Sequence, residues 1–559
     1  MTVPPRRTAL VSDAHKPLMF PTLTPAQIAR VAAHGTVRPT AAGEVLIEAG
    51  DAVVPFFVVR SGTIEIIQSS DLGDALIATH GPGHFTGEGH LLLGRRALMR
   101  ALASEPGEVI QLSREQLLGL VQTDAEIGEI VMRAFIYRRI ELVAQGISDV
   151  MLIGSTHSAG TLRAREFLAR NGHPFHYIDL EREADVQQML DRFEVGVADI
   201  PVLICREKAV LRNPTNQQIA DCLGFNENID RAQLRDLVVV GAGPAGLAAA
   251  VYGASEGLDV LVIEADAPGG QAGSSSRIEN YLGFPTGVSG QDLTGRAIAQ
   301  AQKFGAQMMI SRGAAAMTCS RKPYGITIDG GQRLEARTVI IATGAQYRRP
   351  ALENLAQFEG AGVYYSATYM EAQLCGGEEV IVVGGGNSAG QAAVFLAQTS
   401  KHVHLVVRAG GLAETMSRYL IRRIEESPSI SLEAYREVVA LEGDRHLERV
   451  HLRDKTSGSV ETREVRHVYL MTGAQPNTTW LDGCIALDEK GFIKTGPDLS
   501  AEDLAAAHWP LTRPPFLLET SRPGVFAVGD VRSGNVKRVA SAVGEGSIAV
   551  SFVHRALAE

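Results

Sequence analysis

The spacing of apolar positions changes repeatedly along the chain, and each change marks a different kind of packing. Residues 1–20 contain prolines and show no periodicity, so they read as an arm. From Thr24 to Ala144, a helix over Pro25–Ala33 precedes short alternating runs punctuated by turn residues. The pattern predicts strands at Glu44–Ile47, Phe56–Arg60, Thr63–Gln68 and Ala75–Thr79, with Ser61-Gly62 as a turn, and another near Val109–Leu112. A helical block from Arg114 to Ala144 carries an apolar stripe of Leu117, Leu118, Val121, Ile127, Ile130 and Val131. That order gives an antiparallel roll closed by helices. From Asp149 to Gly224 the rhythm becomes strand (Val150–Gly154), helix (Thr161–Asn171), strand (Phe175–Leu180), helix (Ala184–Phe193), strand (Val202–Cys205) and helix (Gln217–Leu223).

Beyond residue 235 the apolar runs are β-branched and end in glycine. Leu237-Val-Val-Val-Gly-Ala-Gly-Pro-Ala-Gly-Leu247, followed by an apolar run from Leu258 to Glu264, is the first βαβ of a dinucleotide-binding fold. Gly241 allows the tight turn, Gly243 lets backbone approach a pyrophosphate, and Gly246 lets helix and strand pack closely. Ala245 lies in the first helical turn, whose free N–H groups face the diphosphate, and Glu264 stands where a ribose hydroxyl is bound. Glu379-Val-Ile-Val-Val-Gly-Gly-Gly-Asn-Ser-Ala389 repeats the pattern, with Gly384, Gly386 and Ala389 as its fingerprint and Asn387 and Ser388 opening the helix. Its second strand, His402–Val407, ends in Arg408, which suits a 2′-phosphate and points to NADPH; NADH would favour an acid there. Arg418, Arg422 and Arg423 lie further along and serve either as additional phosphate contacts or as a solvated helix face. One such fold inserted in another implies two dinucleotides.

Composition narrows the function class. A chain of 559 residues should hold several domains. Its net charge of −10 leaves no cation surplus for general nucleic-acid binding. Cys205, Cys222, Cys319, Cys375 and Cys484 are scattered, odd in number and never CxxC. This reading excludes a disulfide framework and a zinc ribbon, expects no metal site, and fits a reducing compartment. No apolar signal core follows Arg6 and Arg7, and no uncharged run is long enough to span a bilayer, so the expectation is a cytoplasmic protein.

Two resemblances bear on the N-terminal part. Phe57-Val58-Val59-Arg60-Ser61-Gly62-Thr63-Ile64-Glu65-Ile66, Phe85-Thr86-Gly87-Glu88 and Arg95-Arg96-Ala97 resemble the cyclic-nucleotide-binding domain family. The resemblance implies Gly87, Glu88 and Arg95 as contacts of a cyclic nucleotide effector, the Glu on the ribose and the Arg on the phosphate. His90, Leu91 and Arg96 depart from the family pattern, and the alternative is a roll kept for docking. No helix-turn-helix follows it. Residues 149–226 resemble the thioredoxin or glutaredoxin fold, with Ile200-Pro201 at the cis-proline position. Ser155-Thr-His-Ser158 stands where active members carry CxxC, which rules out dithiol exchange there. This unit is expected to be an adaptor, with Cys205 a packed core residue or, alternatively, a lone regulatory thiol.

Pro268-Gly-Gly-Gln-Ala272 and Ile278-Glu-Asn-Tyr-Leu-Gly-Phe-Pro285 resemble the low-molecular-weight thioredoxin reductase family. The resemblance implies FAD contacts at Gly270, Gln271 and Asn280, at Gly344 in the run Val339–Ala345, and at Gly529 and Asp530 on the ribityl chain. It adds Arg538, Val539 and Ala540 beside the flavin, and Gly473 with the nicotinamide nucleotide. The family has more arginines near Arg408, where this chain has Ala409 and Ala413. It also carries a Cys-Ala-Thr-Cys relay, where this chain reads Tyr365-Ser366-Ala367-Thr368-Tyr369, so Ser366 and Tyr369 occupy the redox positions.

The expected fold class is multidomain: a β-roll with helices (20–145), a thioredoxin-like α/β unit (149–226), and two nested Rossmann-like units, FAD-binding (235–348 and 478–559) and NAD(P)H-binding (349–477). The expected function is an NAD(P)H-dependent FAD oxidoreductase that passes electrons to a small redox protein, a quinone or an organic substrate rather than to a protein disulfide. One alternative keeps disulfide reductase activity through partner thiols or Cys375; another is a flavin-based redox sensor or scaffold. The resemblance to reductases also implies a homodimer.

Overall fold

Two long antiparallel strands, Phe56–Gln68 and Arg100–Leu112, form the spine of the N-terminal roll. The computed structural model describes residues 16–559 apart from 69–73, 88–95, 146–149, 156–157, 181–198, 206–208, 227–228, 276, 320, 366, 368, 414–415, 445 and 482. Thr36–Thr40 and Glu44–Ile47 pair with one long strand and Ala75–His80 with the other, all antiparallel. Ser61-Gly62 is a bulge inside one strand rather than a turn between two. Gly62 has φ +79°, and a side chain there would come within 2.9 Å of the Pro106 carbonyl, so the opposing chain holds the strand together through it. The strand expected at Val109–Leu112 therefore runs back to Arg100. The helical block divides at Asp124 into Arg114–Thr123 and Ala125–Gln145, because the Asp124 carboxylate accepts from the Ile127 N–H and starts a new helix. Phe56, Phe85, Leu117, Val131 and Phe135 fill the core between roll and helices.

Next comes a four-stranded sheet in the order His176–Asp179, Val150–Gly154, Val202–Cys205, Ala209–Arg212, the first pair parallel and the others antiparallel. The helix Ala159–Arg170, capped by Ser158, and the helix Asn216–Cys222 pack on it, and Ile200–Pro201 is cis. The edge strand Ala209–Arg212 was absent from the sequence reading because four residues give too little alternation. The helix expected at Ala184–Phe193 lies outside the described residues. Two cysteine pairs correct the expectation that no disulfides form. Cys205 pairs with Cys222 and Cys319 with Cys484, with Cα separations of 6.6 and 5.9 Å. Spacing hid them: the second pair is 165 residues apart and meets only because the C-terminal segment folds back on the first Rossmann sheet.

That sheet has seven strands. Gln307–Ile310, Val260–Glu264, Arg235–Val240 and Arg333–Ile341 are parallel neighbours, Val525–Ala527 adds in parallel, and Tyr324–Ile328 and Ala314–Thr318 close one side antiparallel. Both faces are covered, which is why the strands read as unbroken apolar runs. The helices Pro244–Ser255 and Val539–Leu557 cross closely: a side chain at Gly546 would lie 2.1 Å from the Ala245 carbonyl. The inserted unit has a five-stranded parallel sheet, ordered Val363–Tyr364, His467–Leu470, Glu379–Val383, His402–Val406, Ile430–Glu433, with a three-stranded meander beside it. Two short paired strands, Ala345–Tyr347 and Ala474–Pro476, join it to the larger sheet. Among the described residues no helix is long and apolar enough to cross a membrane.

Candidate functional site

The first glycine turn is fixed by contacts that exclude side chains. Gly241 has φ +107°, and a Cβ there would sit 2.3 Å from the Ala342 carbonyl; one at Gly246 would sit 1.9 Å from the Gly241 carbonyl. Gly243 differs: a Cβ would meet only the Gly270 Cα, at 3.9 Å, so the space above it is open. The helix Pro244–Ser255 that starts there has no side-chain cap, which leaves its first N–H groups for a ligand.

A ring of segments surrounds this opening. The Gly269 N–H donates to the Ala242 carbonyl at 2.8 Å, bringing the 268–273 turn alongside, with Gly270 at φ +53°. Gln271 donates from Nε2 to the Ala345 carbonyl, next to Gly344 with its φ of +63°. Gly529 packs beside Ala245 and donates from its N–H to Glu545 at 2.7 Å. Two acids face the opening. Burial pushes the Glu264 carboxyl above the ordinary range, against the N–H groups of Asp266 (2.9 Å) and Ala242 (2.7 Å) that it accepts. Burial also raises the Asp530 carboxyl, opposed by the charge of Lys537, and its oxygens accept no hydrogen bond from the described residues. Arg538, Val539 and Ala540 begin the last helix, and Asn280 is exposed without a described partner. An uncapped helix start, an open glycine and two half-buried acids suit a dinucleotide whose diphosphate is flanked by hydroxyl-bearing chains, so the residues fit FAD.

In the inserted unit, Gly384 has φ +146° and lies against the Met471 carbonyl; Gly386 precedes the uncapped helix Asn387–Leu396. The Asn387 side chain accepts from the Ser417 N–H at 2.7 Å, Ser388 is exposed, and Ala389 is fully buried under the sheet. Arg408 lines a cavity of about 370 Å³ between the two Rossmann units, with Arg348, Gly473, Lys490, Phe492 and Lys537 among its other walls. Four cations thus converge on the carboxyl ends of the inserted strands, where such folds take their ligands. Arg422 and Arg423 are not among them: they pair with Glu426 at 2.7 Å and with Glu279 at 2.6 Å. The sequence reading missed Arg348, Lys490 and Lys537, which come from three separate segments with no local signal.

At the redox positions, Ser366 lies outside the described residues, and Tyr369 opens the helix Tyr369–Leu374. Tyr365 donates from its hydroxyl to Glu359 at 2.7 Å, and burial together with that carboxylate pushes its phenol well up. Cys375 has no exposed surface; its Sγ donates to the Ala372 carbonyl at 3.6 Å and accepts from the Tyr469 hydroxyl at 3.4 Å. Of the cyclic-nucleotide candidates, Gly87 sits at φ +99° and its carbonyl accepts from Arg138 at 2.7 Å; Glu88 and Arg95 lie outside the described residues.

Comparison with known proteins agrees with this geometry. Residues 235–546 match the family model of the pyridine nucleotide-disulphide oxidoreductases, and residues 37–124 match the cyclic nucleotide-binding domain. A thioredoxin reductase of Ureaplasma parvum is 31% identical over 323 residues, which is 57% of this chain and 96% of that protein. One of Streptomyces coelicolor is also 31% identical, over 56% of this chain and 91% of its own length. The crystal structure of T. acidophilum thioredoxin reductase superposes with a TM-score of 0.52 at 27% identity, covering 59% of this chain and all of that one. With a matched segment spanning more than half its length, this chain belongs to the pyridine nucleotide-disulphide oxidoreductase family as a thioredoxin reductase-like enzyme dependent on FAD and NADPH, joined to an N-terminal cyclic nucleotide-binding domain.

Proposed function

We propose that this enzyme carries reducing equivalents from NADPH to an acceptor other than a protein disulfide, and that a cyclic nucleotide at the N-terminal roll tunes the flow. FAD held by the Gly243 cradle would supply the redox chemistry, hydride acceptance from a nicotinamide and onward electron transfer. The observation that carries the reading is the identity of residues 366 and 369. Neither a serine hydroxyl nor a tyrosine phenol attacks a disulfide sulfur. Cys375, the nearest sulfur in sequence, is closed inside the core of the inserted unit, which speaks against it as a replacement. A small redox protein, a quinone or an organic substrate fits as acceptor.

In this reading Gly241, Gly243, Ala245, Gly246 and Gly270 hold the FAD diphosphate, Glu264 its adenosine ribose and Asp530 its ribityl hydroxyls. Gln271, Asn280, Gly344, Gly529 and Arg538-Val539-Ala540 frame the rest. Gly384, Gly386, Asn387, Ser388 and Gly473 receive NADPH, and Arg408 takes its 2′-phosphate with help from the cations across the cavity. The working units are 20–145, 149–226, 349–477, and 235–348 with 478–559.

Support for the regulatory arm comes from adjacent arginines on the helix Ala125–Gln145. Arg138 bonds the Gly87 carbonyl, while Arg139 donates to the carbonyls of Asn171 (2.8 Å) and Gly172 (3.2 Å) at the end of the helix Ala159–Arg170. A ligand favouring one arrangement of the cassette would therefore act on a contact to the next unit. A homodimer is expected by relation to the reductases. The test is anaerobic mixing with NADPH and NADH, then an acceptor screen that includes oxidised thioredoxin, with and without cyclic AMP and cyclic GMP. Rapid turnover of thioredoxin disulfide would refute the acceptor claim, and rates indifferent to both nucleotides the regulatory one.

A further inference from the structure

The 149–226 unit has Ser155 and Ser158 where a CxxC would stand, yet it is bound tightly to the flavin half. We propose that it braces the FAD site, with Arg170 as a positioning residue that holds the 267–270 loop against the diphosphate. This rests on the reading that FAD occupies the Gly243 cradle.

Arg170 is the last residue of the helix Ala159–Arg170, and its side chain is only 16% exposed. Its Nη2 donates to three carbonyls of one loop: Ala267 at 2.8 Å, Gly270 at 3.2 Å and Pro268 at 3.5 Å. Its Nη1 lies 3.6 Å from Glu166 and 3.5 Å from Asp266. The loop is the one that closes over the glycine turn. Gly269 and Gly270 have φ of +100° and +53°, and a side chain at Gly270 would come within 3.1 Å of the Gly243 Cα. Glycines at such angles have little conformational preference of their own, so an external tie decides where the loop rests. A guanidinium suits the task, since its fork offers several fixed donors and its charge offsets carbonyls that converge and repel. The same charge opposes the burial that raises the Glu264 carboxyl.

The unit that presents Arg170 is itself anchored to the flavin half through the segment that follows its last strand. Asn226 exchanges two hydrogen bonds with the backbone of Ile310, at 2.8 and 2.9 Å. Arg312 grips Asp221 with two bonds, at 2.7 and 3.0 Å. Ala267 and Ile310 are buried in the same apolar cluster as Phe167 and Phe225. Unit, loop and cradle are therefore tied together, and a fold without the CxxC keeps a use as a fixed support.

The test uses the full-length protein. Arg170→Ala and Arg170→Lys are compared with wild type and with Arg312→Ala, which removes a contact between the same two units without touching the loop carbonyls. FAD dissociation constants are read from flavin fluorescence on re-addition to apoprotein, and 2′,5′-ADP binding to the inserted unit serves as the internal control. Arg170→Ala should weaken FAD about tenfold or more, Arg170→Lys less, and Arg312→Ala little, with 2′,5′-ADP binding unchanged throughout. FAD affinity at the wild-type level in Arg170→Lys and Arg170→Ala would overturn the proposal, as would an equal loss in Arg312→Ala. If Arg170→Ala fails to fold, Arg170→Lys decides. Wild-type protein that takes up no FAD would refute the cradle reading itself, and the brace with it.

Discussion

The hydroxyl of Tyr469 donates to the sulfur of Cys375 at 3.4 Å, and neither residue has exposed surface. A thiol held this way packs and caps a phenol; it does not meet a substrate. Cys375→Ala should leave NADPH-driven flavin reduction at the wild-type rate while lowering stability by about 1–3 kcal/mol, since a buried sulfur is removed from the core and its hydrogen bond with the Tyr469 hydroxyl is lost. Stopped-flow reduction and urea unfolding check both parts. A slowed acceptor half-reaction with an unchanged reductive half-reaction would assign the thiol a role in electron delivery.

The two kinds of glycine in the first turn should separate folding from cofactor binding. Gly246→Ala places a methyl 1.9 Å from the Gly241 carbonyl and should give unstable or insoluble protein. Gly243→Ala meets open space and an ordinary extended backbone, φ −70° and ψ −178°. It should fold with wild-type circular dichroism and emerge depleted of FAD. Full yellow colour in folded Gly243→Ala would contradict the placing of the diphosphate.

Arg408 and the cations facing it should set coenzyme choice. Removing one charged hydrogen bond to a 2′-phosphate costs about 1.5–3 kcal/mol, which is about tenfold to a hundredfold in affinity. Arg408→Ala should weaken NADPH by that factor and leave NADH nearly unchanged. Lys490→Ala and Lys537→Ala, at an exposed rim, should weaken NADPH by smaller factors that shrink as salt rises. Isothermal titration at two ionic strengths measures this. Equal losses for NADPH and NADH would move the cations to another part of the coenzyme.

His80 gives the roll a dependence on pH. Burial, then the charge of Arg138, holds its imidazole down to about 3. The folded state keeps it neutral, whereas the unfolded chain protonates it near the ordinary value of about 6.5. Its contribution is complete above pH 6.5 and is lost as pH falls from there toward about 3, at about 1.4 kcal/mol per unit. His80→Phe should escape that loss. The thermal transition of wild type should therefore fall relative to the variant between pH 6.5 and 4. A gap independent of pH would show that the imidazole titrates freely.

How much of this was legible in the sequence depended on whether the cause was local. Gly241, Gly246 and Gly384 announce themselves because a left-handed turn or a close helix contact is encoded within a few residues. The strand Arg100–Leu112 was read at less than half its length, because Glu105-Pro106-Gly107 breaks the alternation while the opposing strand keeps pairing through a bulge. Lys490, Lys537 and Arg348 were invisible as a group: each is an ordinary surface cation until the hinge strands bring two domains together. The same holds for the Cys319–Cys484 pair and for Arg170 on the flavin loop. Tertiary contacts between distant segments leave no period to read.

The central claim is that no sulfur couple stands beside the flavin to store a second pair of electrons. Anaerobic titration with NADPH, following the visible flavin band, tests it most directly. A single equivalent of NADPH per FAD should bleach the band completely, because residues 366 and 369 offer nothing else to reduce. A requirement for two equivalents, with new thiols appearing in step, would contradict the account.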